Sequence, residues 1–403
     1  MFLKKIALAG AFSLLATGAY AGCAFENSVP VKSLTAGFEA WKAVTDAMAE
    51  CGNVEAELDQ EFRTKQPAAF AANPSLYQIG GVSNGTITPL MNEGTIRPLD
   101  DLVEKHGKHL TPNQLIRIDG KVMAVAMMVN TQHLQYREDI LNDLGIAVPT
   151  TWEEVLAAAE TIKQAGVVDY PLGGTMKAGW NIAQDFVNMF VGFGGTFVNA
   201  DNTPAVNSEA GAKALEMMKR LTEYMDPEYL TADSTYVQQQ FQQGKIAMAN
   251  LWASRAAAMD DPNESQVVGK VAAAAAPLAM DGGKPATTLW WDGVVFAKNM
   301  TDEQADAAFR VAMEGLDTEM VTANNDDAIW LIDGFTTGRL AKGAIDTAMQ
   351  GPPAYPSTTQ MGLMHTALGN ELSDFMQGKE SAEQALADVE AEYTTAAKEA
   401  GLL

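Results

Sequence analysis

Cysteine and histidine are scarce in this 403-residue chain, which contains two cysteines and four histidines. There is no H-E-x-x-H motif, and His106 and His109 have no cysteine pair nearby, so the usual zinc patterns are not met. The chain also lacks a G-x-x-x-x-G-K-[ST] phosphate loop, and Gly192-Phe-Gly-Gly195 lacks the third glycine of a dinucleotide fingerprint. We therefore expect neither a metal nor a cofactor.

Basic residues are also few, with 27 lysines and arginines against 51 aspartates and glutamates and a net charge of −24. No cluster of lysines and arginines interrupts this acidic excess. Proteins that bind nucleic acid or anionic membranes present a basic surface. The composition therefore argues against both partners and favours a small neutral or cationic ligand.

Long apolar runs are missing except at the N-terminus. A basic start with Lys4 and Lys5 precedes the apolar run Ile6–Thr17, and Ala19-Tyr-Ala21 supplies small residues for cleavage. This pattern predicts a cleaved secretory signal over residues 1–21 and a periplasmic protein that begins at Gly22. Lipidation at Ala21-Gly22-Cys23 is the less favoured alternative, because Tyr20 stands where lipoprotein boxes usually have Leu or Val.

The two cysteines both lie near the N-terminus of the exported chain. In an oxidising compartment they predict a disulfide between Cys23 and Cys51, which would tie the first strand to the end of the first helix. Two free thiols are the alternative.

Strand and helix patterns alternate along the chain. Strand character occurs at Val29–Leu34, Val54–Leu58, Leu76–Ile79, Lys121–Met128, Ile246–Ala249, Val267–Ala275 and Gly293–Ala297. Helix starts are indicated at Thr151, Ser208, Thr301 and Ser381, and Gly166 is a helix end. This order predicts an α/β fold with parallel, doubly wound sheets. Because sheet-rich and helix-rich segments recur, we expect two lobes built from non-contiguous segments, with a ligand cleft between them.

One catalytic motif is present. Gly81-Val-Ser-Asn-Gly85 matches the G-x-S-x-G nucleophile elbow, and Asp333 and His365 follow in the order used by α/β hydrolases. A serine hydrolase using Ser83 is therefore the alternative function. We disfavour it because an elbow leads directly into a helix, whereas Thr86-Ile-Thr-Pro89 is β-branched and contains proline, and no glycine-rich oxyanion motif precedes it.

Four tryptophans share a setting at strand ends or in loops, each within two residues of Asn or Asp: Trp180, Trp252, Trp290 and Trp291. Indole rings pack against the apolar faces of a sugar, while its hydroxyls need fixed polar partners. Core packing is the alternative for any one ring. The shared setting favours carbohydrate binding.

Four segments occur in a characteristic order: the crossover from Gly120 to Ile140, Pro149-Thr-Thr-Trp-Glu-Glu154, Phe193-Gly-Gly-Thr196 and Phe241-Gln-Gln-Gly-Lys-Ile-Ala-Met248. As an ordered set, these motifs resemble those of family 1 extracellular solute-binding proteins, the carbohydrate receptors of ABC importers. Maltodextrin-binding proteins are familiar members of this family.

The resemblance implies a two-lobed flytrap fold that closes on its ligand and performs no catalysis. It implies a first lobe from residues 22–131 and 267–318 and a second lobe from 132–266 and 319–403. The implied partners are a small carbohydrate, namely a mono- or disaccharide or a polyol, and the permease of the importer. We expect a monomer.

Positions carried over from the family are expected to contact the ligand. They are Thr35, Ser83, Asn84, Asn130, Trp180, Asn181, Trp252, Trp290, Trp291, Asp292, Gly293 and His365. Asn130 is neutral where the family often has a sugar-binding carboxylate. His365 lies near the position where maltodextrin-binding proteins stack a further aromatic residue, but it is not a tryptophan. Both departures argue against a maltodextrin ligand. Strand alternation allows one of the two adjacent indoles to form the cleft wall while the other packs, and the sequence leaves open which.

Overall fold

A computed structural model describes residues 22–403, and the predicted signal at 1–21 lies outside them. The strands are β1 Val31–Thr35, β2 Val54–Leu58, β3 Ile79–Ser83, β4 Leu115–Ile118, β5 Lys121–Asn130, β6 Gln132–Arg137, β7 Tyr170–Gly173, β8 Ile246–Trp252, β9 Val271–Ala274, β10 Trp290–Phe296 and β11 Ile329–Trp330. The helices are α1 Glu39–Ala49, α2 Phe62–Ala71, α3 Ile87–Asn92, α4 Asp100–His106, α5 Glu138–Asp143, α6 Trp152–Ala165, α7 Trp180–Gly192, α8 Glu209–Thr222, α9 Ser234–Gln242, α10 Asp302–Glu314, α11 Thr318–Ala323, α12 Lys342–Met349, α13 Thr359–Met376 and α14 Ala382–Glu399.

Two separate sheets organise the described chain. The first has the order β11-β5-β10-β3-β1-β2, with β4 paired to β5, and the second has the order β7-β8-β6-β9. β1 runs parallel to β2 and β3, whereas β10 runs antiparallel to β3 and β5. The α/β fold is therefore as predicted, but both sheets are mixed rather than wholly parallel, because β10 is antiparallel to both neighbours in the first sheet and β6 to both neighbours in the second.

Helices cover both faces of the first sheet. Val294 and Phe296 of β10 belong to one apolar cluster, whereas the alternate residues Val295 and Ala297 belong to another. Successive side chains of a strand point to opposite faces, so both faces are buried. A larger cluster joins the second sheet to α6, α7, α8, α13 and α14. Each sheet thus forms the centre of its own lobe.

Helix boundaries follow the local signals. Thr151 accepts a hydrogen bond from the Glu154 amide at 3.2 Å, and the Glu154 carboxylate accepts one from the Thr151 amide at 3.3 Å, which completes the predicted capping box of α6. Gly166 ends α6 with φ 63°. Ser381 caps α14 in the same way, but the Gln384 side chain donates to Asp388 instead of closing the box.

Several predicted strands have other bounds in the structure, and β8 for example extends to Trp252 rather than ending at Ala249. β3 lies at Ile79–Ser83 rather than Leu76–Ile79, β9 is shorter than predicted, and β10 begins at Trp290 rather than Gly293. In addition, residues 87–92 form the short helix α3, with Pro89 in its first turn, where a missing amide is tolerated.

The chain passes from the first sheet to the second directly between β5 and β6, at Thr131. β9 belongs to the second sheet although it lies within segment 267–318, which we assigned to the first lobe. β11 belongs to the first sheet although it lies within segment 319–403, which we assigned to the second. At these two short strands, the sheet to which the strand belongs is therefore not the one of its predicted lobe.

The predicted disulfide between Cys23 and Cys51 is present and follows the end of α1. It joins the N-terminal segment of the described chain to the apolar core of the first lobe. None of the helices between residues 22 and 403 is long and apolar enough to cross a membrane.

Candidate functional site

A cleft of about 270 Å³ lies between the lobes and is lined by residues from both. The first lobe contributes Phe38, Gln60, Arg63, Ser83, Asn130, Trp290 and Asp292, and the second contributes Lys177, Trp180, Asn181, Asp233, Trp252, Ser254 and Arg255. Cavities between lobes or domains are frequent binding sites for small ligands. This cleft is therefore the candidate site.

Strand β10 positions two side chains in the cleft. Trp290 pairs with Asn130 of β5, and Asp292 pairs with Ser83 at the end of β3. Because alternate residues of a strand share a face, Trp290 and Asp292 both reach the cleft. Trp291 points the other way and packs against the apolar cluster on the opposite face of the sheet. Strand geometry thus places Trp290, not Trp291, in the cleft wall.

Three indoles meet at the base of the cleft. The rings of Trp180 and Trp252 each approach Trp290 edge to face, with centroids 5.7 Å apart in both pairs. Tyr355 packs on Trp290 at 4.2 Å. Trp290 and Trp252 are only 5% and 8% exposed, whereas Trp180, the first residue of α7, is partly exposed. Of these three indoles, Trp180 therefore leaves the most surface for a ligand.

A buried chain of hydrogen bonds fixes Trp290 from behind. Its indole Nε1 donates to Thr288 Oγ1 at 2.9 Å, and this hydroxyl donates to Asn188 Oδ1 at 2.9 Å. Asn188 Nδ2 then donates to Gln132 Oε1 at 2.8 Å. A buried indole N–H needs such a partner. The chain connects β10 to α7 and β6 and so holds the ring across the junction of the lobes.

His365 supports Trp180 from the second lobe. Its Nε2 lies 3.0 Å from the Trp180 carbonyl oxygen, which can only accept, so Nε2 carries the proton. Nδ1 then accepts from the Tyr355 hydroxyl at 2.9 Å. Burial lowers the pKa of His365 to about 4, which keeps the ring neutral. His365 therefore lies behind Trp180 and does not line the cleft.

The cleft lining contains equal numbers of basic and acidic side chains, in contrast to the net charge of −24 for the whole chain. The cations are Arg63, Lys177 and Arg255, and the anions are Glu61, Asp233 and Asp292. Lys177 pairs with Asp233 at 3.4 Å. Arg255 donates to the Gln238 side chain at 3.1 Å. The lining itself thus favours a ligand without net charge.

The pKa of Asp292 is unusually high for a carboxyl group. Burial raises its pKa to about 7, against the opposing effects of the nearby Arg63 charge and a hydrogen bond from Asn130. Burial also lowers the pKa of Arg63 to about 10, although the residue keeps contact with solvent through the cleft. Arg63 is therefore charged at neutral pH, while Asp292 changes its charge near neutrality.

Comparison with known proteins gives the family. A profile of the family described as bacterial extracellular solute-binding protein matches residues 32–312, more than half of the chain. The chain belongs to this family.

Relatives agree with this assignment. A Deinococcus radiodurans protein named "Probable ABC transporter-binding protein" is 29% identical over 286 residues, 67% of this solute-binding protein. The match spans 66% of that relative's own length, just under two thirds.

Solved structures share the fold. A solute-binding protein from Agrobacterium radiobacter in complex with ribitol superimposes with a TM-score of 0.81 at 22% identity, over 92% of this chain and 99% of that one. One from Agrobacterium vitis with bound D-mannitol gives 0.78 at 19% identity, again over 92% and 99%. The family and its fold are those of binding proteins rather than enzymes.

The structure brings seven of the predicted site residues together in the cleft: Ser83, Asn130, Trp180, Asn181, Trp252, Trp290 and Asp292. Five others lie outside the lining: Thr35, Asn84, Trp291, Gly293 and His365. Asn84 is buried and donates to the carbonyls of Leu289 and Tyr355. Gly293 does allow a close backbone approach, but to β5, since a Cβ there would lie 2.3 Å from the Val125 oxygen.

Several lining residues were missed by sequence reasoning. Arg63 is the second residue of α2, Phe38 immediately precedes α1, and Arg255 lies in the turn after β8. No local pattern marks them, because they reach the cleft only through the packing of the two lobes.

The geometry gives no support to the serine hydrolase alternative. The Ser83 hydroxyl is 3.3 Å from Thr86 Oγ1, and both nitrogens of His365 are used by Tyr355 and Trp180. Asp333 is exposed in a turn. A helix does begin soon after Ser83, as an elbow requires, but neither His365 nor Asp333 is hydrogen-bonded to the Ser83 hydroxyl.

Proposed function

We propose that this protein is the periplasmic receptor of an ABC importer, which binds a monosaccharide, disaccharide or polyol between its lobes and delivers it to the membrane permease. The observation that carries the proposal is the cleft itself, which is lined by Trp180 from one lobe and by Asp292, Asn130 and Ser83 from the other. The part of the Trp180 ring that stays exposed can contact C–H groups of a ligand while the polar groups bind its hydroxyls.

The size and charge of the cleft support a small neutral ligand. Its volume of about 270 Å³ falls just below the usual range of roughly 300–1,000 Å³ for ligand pockets. The solved relatives that bind ribitol and D-mannitol support the smaller members of the proposed class. The Deinococcus relative supports an ABC importer as the partner.

Binding would shift the balance between open and closed lobes. A ligand held first by one lobe gains contacts with the other only on closure, and this difference in affinity favours the closed form. The Asn130–Ser254 hydrogen bond of 3.1 Å, which joins the end of β5 to the segment after β8, lies where the lobes meet. The protein acts as a monomer whose closed form is recognised by the permease.

A thermal-shift screen of the mature chain tests the proposal. Ribitol, D-mannitol, glucose and maltose would be compared with amino acids and betaines, and a chromogenic ester would be assayed in the same samples. A ligand at about 100 times its Kd stabilises the folded state by about 2.7 kcal/mol, which is a shift of several degrees. We expect stabilisation by one polyol or sugar class and no ester turnover. Stabilisation only by amino acids, or turnover abolished by Ser83→Ala, would overturn the proposal.

A further inference from the structure

Arg63 occupies an unusual place in the cleft. It lies in the first turn of α2 in the first lobe, yet its guanidinium carbon is 4.4 Å from the ring centroid of Trp180 in the second lobe. The same carbon is 4.9 Å from the Phe62 ring. Asp292 and Glu61 act on the Arg63 charge through space. The guanidinium is therefore held mainly by aromatic faces.

The three indoles would otherwise suit a cationic ligand. Aromatic clusters bind quaternary ammonium groups through the negative faces of their rings. Here the faces of Trp290 and Trp252 are largely covered by their neighbours. Trp180 keeps exposed surface, and Arg63 lies over it. The face that could bind a foreign cation is thus already covered by a cation of the protein.

We propose that Arg63 is a specificity-determining residue, whose guanidinium takes the cation position on Trp180 and so excludes quaternary ammonium and other cationic solutes from the cleft. A cationic solute would have to displace the guanidinium or lie beside a like charge, and either is unfavourable. Neutral solutes meet no such repulsion. The inference rests on the proposed function only in taking the cleft as the ligand site.

Choline binding to three variants tests the exclusion. Arg63→Gln removes the charge, Arg63→Lys keeps it without the flat guanidinium, and Arg310→Gln is the matched control. Arg310 also covers an aromatic ring, that of Phe25 at 3.7 Å, but outside the cleft. Choline binding would be measured by calorimetry at about pH 8.5, where Asp292 is ionised.

We expect Arg63→Gln to bind choline at least about tenfold more tightly than the unaltered protein. Arg63→Lys and Arg310→Gln should remain close to the unaltered protein. Equal choline affinity in the unaltered protein and Arg63→Gln would overturn the proposal. A gain in Arg63→Lys as large as in Arg63→Gln would also overturn it, because charge would then not be the cause.

Acrylamide quenching of tryptophan fluorescence gives a readout without any ligand. Removing the guanidinium exposes Trp180, so Arg63→Gln should be quenched more efficiently than either the unaltered protein or Arg310→Gln. Unchanged quenching would contradict the stacked arrangement. Neither experiment uses a sugar, so a failed sugar screen would count against the proposed function while leaving this inference to be decided by choline and quenching.

Discussion

Asp292 should make ligand affinity depend on pH. Its pKa is raised to about 7 by burial, and only the ionised carboxylate accepts hydrogen bonds from ligand hydroxyls at both oxygens. At about pH 6 roughly a tenth of the carboxylate is ionised, and at about pH 8 roughly nine tenths. Affinity should therefore rise about tenfold, or about 1.4 kcal/mol, between these values and level off above them.

Asp292→Asn removes this titration while it keeps the size of the side chain. Isothermal titration of the best polyol from the screen, over a range from about pH 5.5 to pH 8.5, should show a flat, weakened profile for this variant. Asp233→Asn is the control, because Asp233 also lines the cleft and caps α9 through two backbone amides, a role that Asn fills well. It should keep the slope of the unaltered protein. A flat profile for the unaltered protein, or the same slope in Asp292→Asn, would refute the reasoning.

Three further outcomes follow from the structure. Trp290→Leu should weaken polyol binding by at least about tenfold, whereas Trp291→Leu, on the opposite face of the sheet, should change it little in the same calorimetric titration; a larger loss in Trp291→Leu would contradict the assigned faces. Burial lowers the pKa of His133 to about 4 from an ordinary value of 6.5, so its contribution to folding is complete above about pH 6.5 and is lost as the pH falls towards 4. Between pH 7 and 4.5, the free energy of unfolding in urea should therefore fall by about 2–3 kcal/mol less for His133→Leu than for the unaltered protein. An equal fall in both proteins would show that another group titrates. Reduction of the Cys23–Cys51 disulfide, which closes a separation of 28 residues, should lower stability by about 2–4 kcal/mol; an unchanged urea midpoint would contradict this.

Local signals predicted much of the fold. The capping pairs at Thr151 and Thr301 and the left-handed Gly166 are fixed by backbone chemistry within a few residues, so they can be found without tertiary contacts. The bounds of β3 could not be placed in this way, because Gly80 and Gly81 weaken its strand pattern. Both are required by packing, since a Cβ would lie 2.6 Å from the Phe70 ring and 2.8 Å from the Trp41 ring.

Site residues could be predicted where a tryptophan or a polar residue lies at the end of a predicted strand. Asn130, Trp252 and Asp292 lie at or near strand ends that meet in the cleft. The choice between Trp290 and Trp291 needed the register of β10, which the sequence did not provide. Arg63 has no local signal at all, because an exposed arginine on a helix reaches Trp180 only when the two lobes face each other.

A crystal structure of the mature protein with the most stabilising polyol or sugar would test the central claim most directly. We expect the ligand between the lobes, with hydroxyls within hydrogen-bond distance of Asp292 and Asn130 and with C–H groups against the exposed part of the Trp180 ring. A ligand bound elsewhere, or one in the cleft without contact to Asp292 and Trp180, would contradict the account.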